Sequence, residues 1–270
     1  MLFKDRCPVG DIRTLYGPHA LLRRYFAFAE AEGRKRGVWL RVRTDFDRLL
    51  EVSRCHADSF PKVSPIFDPA LSVLSTKSAF WIEAIDESGE TAATSAVRIC
   101  DHAERSLADD FRSLRIFFAR PEKHLRNGER IEVIAPAAEH IRGRVAASGV
   151  VWVRPDYRRH GLTKIIPRLA RSCALTSWNT PVFWGLVKPE HDEVGLTQAY
   201  GSWQIGGKLV FHMPSWLGDV SPLFLWMDRD TLIADIETAD DHAMIESSRR
   251  IETAITKKSP RLRQGISTRS

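Results

Sequence analysis

Residues 149–175 read GVVWVRPDYRRHGLTKIIPRLARSCAL. Val150, Val151, Trp152 and Val153 form a short apolar, largely β-branched run that fits a buried strand, which Pro155 and Asp156 end because proline cannot donate to a ladder. After Arg158, Arg159, His160 and Gly161, the residues Leu162, Ile165, Ile166, Leu169, Cys173 and Leu175 recur at helical spacing. The unit therefore reads strand, basic glycine turn, helix. The first N–H groups of a helix lack intrahelical partners and sit at the positive end of its dipole, so such a turn favours a phosphate-like anion. Gly161 lets the backbone come close, and Arg158, Arg159 and His160 add charge and donors. An ordinary connection with solvated arginines fits the spacing equally well.

Working outward, Pro181 to Val187 (PVFWGLV) is a second apolar strand, so strand, helix and strand imply a parallel pair with a crossover helix. Upstream, Ala79 to Ile85 and Thr91 to Cys100 form a hairpin around the polar segment 86–90. Residues 18–32 read as an amphipathic helix that packs on the body or on a second subunit, and 38–42 alternate as a half-buried strand. Thr44, with Asp47, is the expected cap of the next helix, and Leu71, Val73 and Leu74 suggest a short helix. Residues 101–129 read as an inserted helical or irregular element, 130–134 as a strand, and 136–144 as helix or loop. A helix over 195–205 closed by Gly206 and Gly207, a strand from Lys208 to Met213 and a last strand over 223–227 complete the body. From about Asp235 a polar helix and a mobile basic tail are expected.

The chain has 270 residues, 43% of them apolar, which is enough for a real core. No apolar run approaches the roughly 20 residues of a membrane span, and a cytoplasmic protein without a membrane partner is expected. Cys7, Cys55, Cys100 and Cys173 are far apart, so reduced thiols are expected, and the histidines show no paired ligand spacing, so no metal is. The net charge of +6 divides into +5 over 1–45, +5 over 246–270 and −4 between them. Basic ends around a mildly acidic body make a nucleic-acid partner unlikely on charge grounds.

The element order, and Val151, Val153 and Pro155 followed by Arg158, Gly161 and Thr163, resemble the GNAT superfamily of acyl-CoA-dependent N-acyltransferases. Thr163 stands where the family has a smaller residue. The resemblance implies a mixed α/β fold whose mostly antiparallel central sheet carries a splayed parallel strand pair flanked by helices. It divides the chain into an N-terminal helical extension (1–36), an acyltransferase domain (37–234) and a helical, then mobile basic tail (235–270). It implies acetyl-CoA or another acyl-CoA as co-substrate, held by Val151, Trp152, Val153, Arg158, Arg159, His160, Gly161, Leu162 and Thr163. It further implies direct attack by a small-molecule or peptide amine, with a backbone donor near Val151 stabilising the oxyanion.

For the acid, the family's tyrosine lies four residues before a Gly followed by an aromatic. Gly206 puts Ser202 at that spot and Gly207 puts Trp203 there, so Tyr200, the candidate, is out of register. For the base, Glu83 is the first candidate, with Glu132, His191 and Asp192 behind it. Trp178, Trp184, Trp203 and Trp216 read first as core and second as pocket walls. The alternatives are a non-catalytic acyl-CoA-binding regulatory module and a nucleic-acid-associated protein. A homodimer is possible from the N-terminal helix.

Overall fold

The structure, a computed structural model, describes residues 3–239. Of the tail expected over 235–270, residues 240–270 lie outside the described residues.

The chain begins with β1 (Cys7–Pro8), α1 (His19–Lys35), β2 (Trp39–Arg43), α2 (Phe46–Cys55) and the hairpin β3 (Ala79–Ile85) and β4 (Thr91–His102). The insertion holds α3 (Leu107–Arg112) and α4 (Pro121–Arg126), followed by β5 (Arg130–Ile134) and α5 (Pro136–His140). β6 (Gly143–Val153), α6 (Leu162–Trp178) and β7 (Val182–Val187) form the central crossover. Next come α7 (Pro189–Glu193), α8 (Leu196–Tyr200), β8 (Gln204–Met213), β9 (Gly218–Val220), β10 (Leu223–Asp228) and a helix, α9, over 229–239.

The strands make one sheet in the order β1-β2-β3-β4-β6-β7-β10-β8-β5, with β9 on β8. Each pairing is antiparallel except β6 with β7. This mostly antiparallel sheet with one parallel pair is the architecture expected above. The crossover requires it, because a strand returning after a helix of this length enters parallel to the first.

Each sheet face carries its own core. On one face Leu22, Tyr25, Phe26 and Ala29 of α1, Leu169, Cys173 and Leu175 of α6, and Leu232 and Ile236 of α9 cover Val42, Phe80, Ile82 and Phe183. On the other, Leu49 of α2, Phe67, and Leu107 and Phe111 of α3 cover Trp81, Ala96, Trp184 and Phe211. α1 thus packs on the body, and the boundary expected between 234 and 235 falls inside α9.

Three local expectations are corrected. The cap of α2 is Asp45, whose carboxylate accepts from Arg48 N at 3.1 Å, because Thr44 still belongs to the strand's exit. Residues 71–74 pass from a turn through a bend into irregular backbone rather than a helix, and Val73 is 75% exposed. The helix expected over 195–205 stops at Tyr200, and β8 begins at Gln204 and runs through both glycines.

Candidate functional site

β6 and β7 pair at only three rungs, Val145 with Val182, Ala146 with Phe183 and Ala147 with Trp184. Beyond them the strands part while each keeps its outer neighbour: β6 stays on β4 as far as Val153 with Ala93, and β7 on β10 as far as Val187 with Leu223. Residues 148–151 and 185–187 therefore line a gap with backbone groups that no strand takes up. A bulge lies at the same place. The β4–β6 register shifts between Thr94 and Ala96, so Val150 and Val151 together oppose Ser95. Val150 has φ +52°, a region β-branched residues rarely occupy, and Thr94 Oγ1 donates to its carbonyl at 2.8 Å.

The strand ends at Val153, and residues 155–157 make a short 3₁₀ turn that leads to Arg159 at φ +66° and Gly161 at φ +78°. With these two reversals one residue apart, the backbone N–H groups of Arg159, His160 and Gly161 meet no acceptor among the described residues. Gly161 then caps α6, whose first N–H groups add to the same positive cradle. Arg36, at the end of α1, braces the turn: its Nε donates to the His160 carbonyl at 2.5 Å, and Glu32 Oε2 holds its Nη1. Arg154 fixes the entrance through Asp86 (2.6 Å) and Asp156 (2.8 Å).

Two cavities meet at the gap. The smaller, of about 210 Å³, is walled by Val151, Pro167, Arg171, Gly185, Tyr200 and Trp203. The larger, of about 400 Å³, is walled by Phe67, Phe117, Trp184, Phe211, Trp216 and Val220. They share Ser64, Ser148, Gly149, Val150, Leu186, Val187 and Lys188, so the bulge is the wall between them. A third cavity of about 540 Å³ lies around His102 and Asp110 at the other end of β4 and touches neither turn nor gap.

Of the residues expected to hold the acyl donor, Val151 borders the smaller cavity. Trp152 and Val153 turn into opposite cores and Leu162 is 1% exposed, so these contribute backbone alone. Arg158, Arg159 and His160 are exposed, with Arg158 Nε on the Val153 carbonyl at 3.3 Å, and Thr163 follows in the first turn of α6.

Tyr200, out of register in sequence, reaches the smaller cavity because α8 packs on α6, and burial pushes its phenol up to about 12. Ser202 instead donates to Asp235 at 3.0 Å, and Trp203 lies under the Arg171 guanidinium at 4.8 Å. Arg171 is fully buried, and loss of solvent lowers its pKa to about 10.

Glu83 is corrected. It is 1% exposed, its Oε2 accepts from Arg43 Nη1 at 2.6 Å and its Oε1 from Thr91 Oγ1 at 2.8 Å, and it borders neither cavity at the gap. It is half of a buried ion pair. Glu132 is exposed on β5 and Asp192 likewise borders neither cavity, whereas His191 stands at the rim of the smaller one. Trp184, Trp203 and Trp216 are walls, while Trp178 is core, its Nε1 on the Lys77 carbonyl at 3.0 Å.

All four cysteines are free, and no His/Cys/Asp/Glu cluster suited to a metal occurs among the described residues. No helix of the described residues is long and apolar enough to cross a membrane. Sequence reasoning missed Arg36 and the Arg168–Arg171–Asp235 cluster behind Tyr200, which become neighbours only through the packing of α1 and α9 on α6.

No protein-family model and no curated protein matches the chain. Solved structures do. A spermidine N-acetyltransferase from Vibrio cholerae is 11% identical over 73% of this chain and 96% of its own, with a TM-score of 0.43. An aminoglycoside acetyltransferase in complex with coenzyme A and kanamycin is 15% identical over 72% and 96%, with a TM-score of 0.41. A GCN5-related N-acetyltransferase from Kribbella flavida is 15% identical over 70% and 97%, with a TM-score of 0.37.

Proposed function

We propose that the chain is an acyl-CoA-dependent N-acyltransferase, most simply an acetyltransferase, acting on an amine by direct transfer. The observation that carries this is the parting of β6 from β7 over the Val150 bulge, directly before the Gly161 turn. The residues fit such a donor: unpaired N–H groups at Arg159, His160 and Gly161 suit a pyrophosphate, and the open edge at 148–151 suits an extended chain bearing amides. An acyl-CoA bound there supplies an activated thioester carbonyl.

The chain's own groups account for the rest. The backbone N–H near Val151, set by the bulge, stabilises the oxyanion that forms when the amine nitrogen bonds to the carbonyl carbon. Tyr200, kept protonated by burial, donates a hydrogen bond to the sulfur as the C–S bond breaks. An acid at about 12 is too weak to protonate an ordinary thiolate fully, so its role is to steady the leaving sulfur. The amine's extra proton leaves through the rim, where His191 stands.

Isothermal titration with acetyl-CoA, then with Gly161→Glu, tests the reading. Binding to the native chain that falls at least about tenfold in the variant, with an unchanged circular dichroism spectrum, is expected because the side chain enters the anion cradle. Absence of binding, or equal binding in both, sinks it. Release of free thiol with an amine panel separates an enzyme from a module that only binds the donor.

A further inference from the structure

We infer that the acceptor is a compact amine with an apolar, ring-bearing body, and is neither a polyamine nor an aminosugar. The inference rests on the acyltransferase reading and concerns the larger cavity.

At about 400 Å³ that cavity is of small-molecule size. Phe67, Phe117, Trp184, Phe211 and Trp216 dominate its walls. The charged lining residues among those described are Lys188 and Glu190, which stand at the mouth with side chains 55% and 64% exposed, 3.9 Å from each other. An acceptor carrying several ammonium groups would leave water for a chamber that offers no free carboxylate, and nothing there repays the lost hydration.

The rings are also committed to one another. Phe117 and Phe211 meet edge to face at 5.7 Å, and Trp216 packs on both at 5.7 and 5.8 Å. An apolar body extends that packing, whereas a cation would need a free ring face.

The same apolar wall bears on the proton. Burial disfavours a charged amine and lowers its pKa, so an apolar chamber delivers the neutral nucleophile. This is in keeping with Glu83 lying outside the site.

The test uses the full chain. Acetyl-CoA binding is measured first, and thiol release is then followed with tyramine, L-phenylalaninamide, spermidine and kanamycin. The expected kcat/KM for the first two exceeds that for the last two by at least about tenfold, the scale on which an apolar pocket discriminates. Ser221→Asp, at an exposed position of the wall, should narrow that ratio at least about threefold by adding a carboxylate while leaving acetyl-CoA binding unchanged. Equal or faster turnover of spermidine or kanamycin overturns the inference and leaves the acyltransferase reading standing. So does donor binding with no turnover of tyramine or L-phenylalaninamide, or a ratio that Ser221→Asp does not move. Failure to bind acetyl-CoA overturns the parent reading instead.

Discussion

Asp235 and Arg168 meet in a two-pronged pair, Nε donating to Oδ2 at 2.8 Å and Nη2 to Oδ1 at 3.1 Å. The pair ties three helices together. Arg168 Nη1 also donates to the Ala199 carbonyl at 2.9 Å, Arg171 donates to the Tyr200 carbonyl, and Ser202 Oγ donates to Asp235 at 3.0 Å. A carboxylate on α9 thus fixes where α8 lies against α6, and α8 carries Tyr200. Asp235→Asn would leave Arg171, 3.9 Å away and buried, short of its counter-charge. We expect a loss of about 3 kcal/mol, in the range for breaking one side of a buried pair, read as a lower urea midpoint with an unchanged slope. A midpoint within experimental error of the native one would show that Arg168 and Arg171 are satisfied without it.

Tyr200→Phe separates chemistry from packing. Because burial holds the phenol at about 12, the hydroxyl stays protonated through the working range, and its loss should lower kcat about a hundredfold with acetyl-CoA affinity unchanged. For the same reason the native rate should show no fall attributable to this group between pH 7 and about pH 10. An unaltered kcat in the variant would make Tyr200 a packing residue.

The strand, turn and helix proposed to hold the donor were legible in sequence because the groups that would bind it are backbone. A β-branched run, a proline, a positive-φ glycine and a helical stripe fix where 150–163 go, whatever the distant side chains do. The wall proposed for the acceptor was not legible, since Phe67, Phe117, Trp184 and the pair Phe211 and Trp216 come from four separate stretches of chain that meet only in the fold. The error at 204–207 has a different cause. A Cβ on Gly207 would lie 2.2 Å from the Ile134 carbonyl oxygen, and one on Gly206 2.9 Å from Phe224 and Trp226. These glycines mark the close approach of β5 and β10 to a strand, a reason that mimics a helix stop in sequence. Glu83 misled because a carboxylate on a strand looks alike whether it faces substrate or an arginine from the neighbouring strand.

Acid should loosen the entrance to the anion turn. Burial raises the Asp86 pKa, but hydrogen bonds from Ser88, Arg154 and the Glu90 N–H outweigh it and bring the group from 3.8 down to about 2. A carboxyl whose folded value is depressed stabilises the fold above its unfolded pKa and loses that contribution as pH falls through the folded one. Stability should therefore decline between about pH 4 and pH 2, with about 1 kcal/mol from this group after allowance for solvent screening. Asp86→Asn should remove that portion of the acid dependence, which denaturant titrations at pH 5 and pH 2.5 would measure. Equal slopes against pH in both proteins would discount the pair with Arg154.

The bulge makes the sharpest prediction about strain. Val150 holds φ +52° with a branched side chain, which costs on the order of 1–3 kcal/mol relative to a relaxed strand. Val150→Gly removes that cost and loses one half-buried side chain, so the two effects should nearly cancel and the melting temperature should move by no more than about 3 °C. Val145→Gly is the control, because Val145 is fully buried in the extended part of the same strand, and its loss should cost about 3 kcal/mol or more. Function should separate the pair in the opposite sense. Freed of its side chain, residue 150 no longer confines the peptide that presents the Val151 N–H, so kcat should fall in Val150→Gly although stability holds. If the two variants lose equal stability, the Val150 backbone is not strained, and the bulge does not owe its shape to constraint by the surrounding fold.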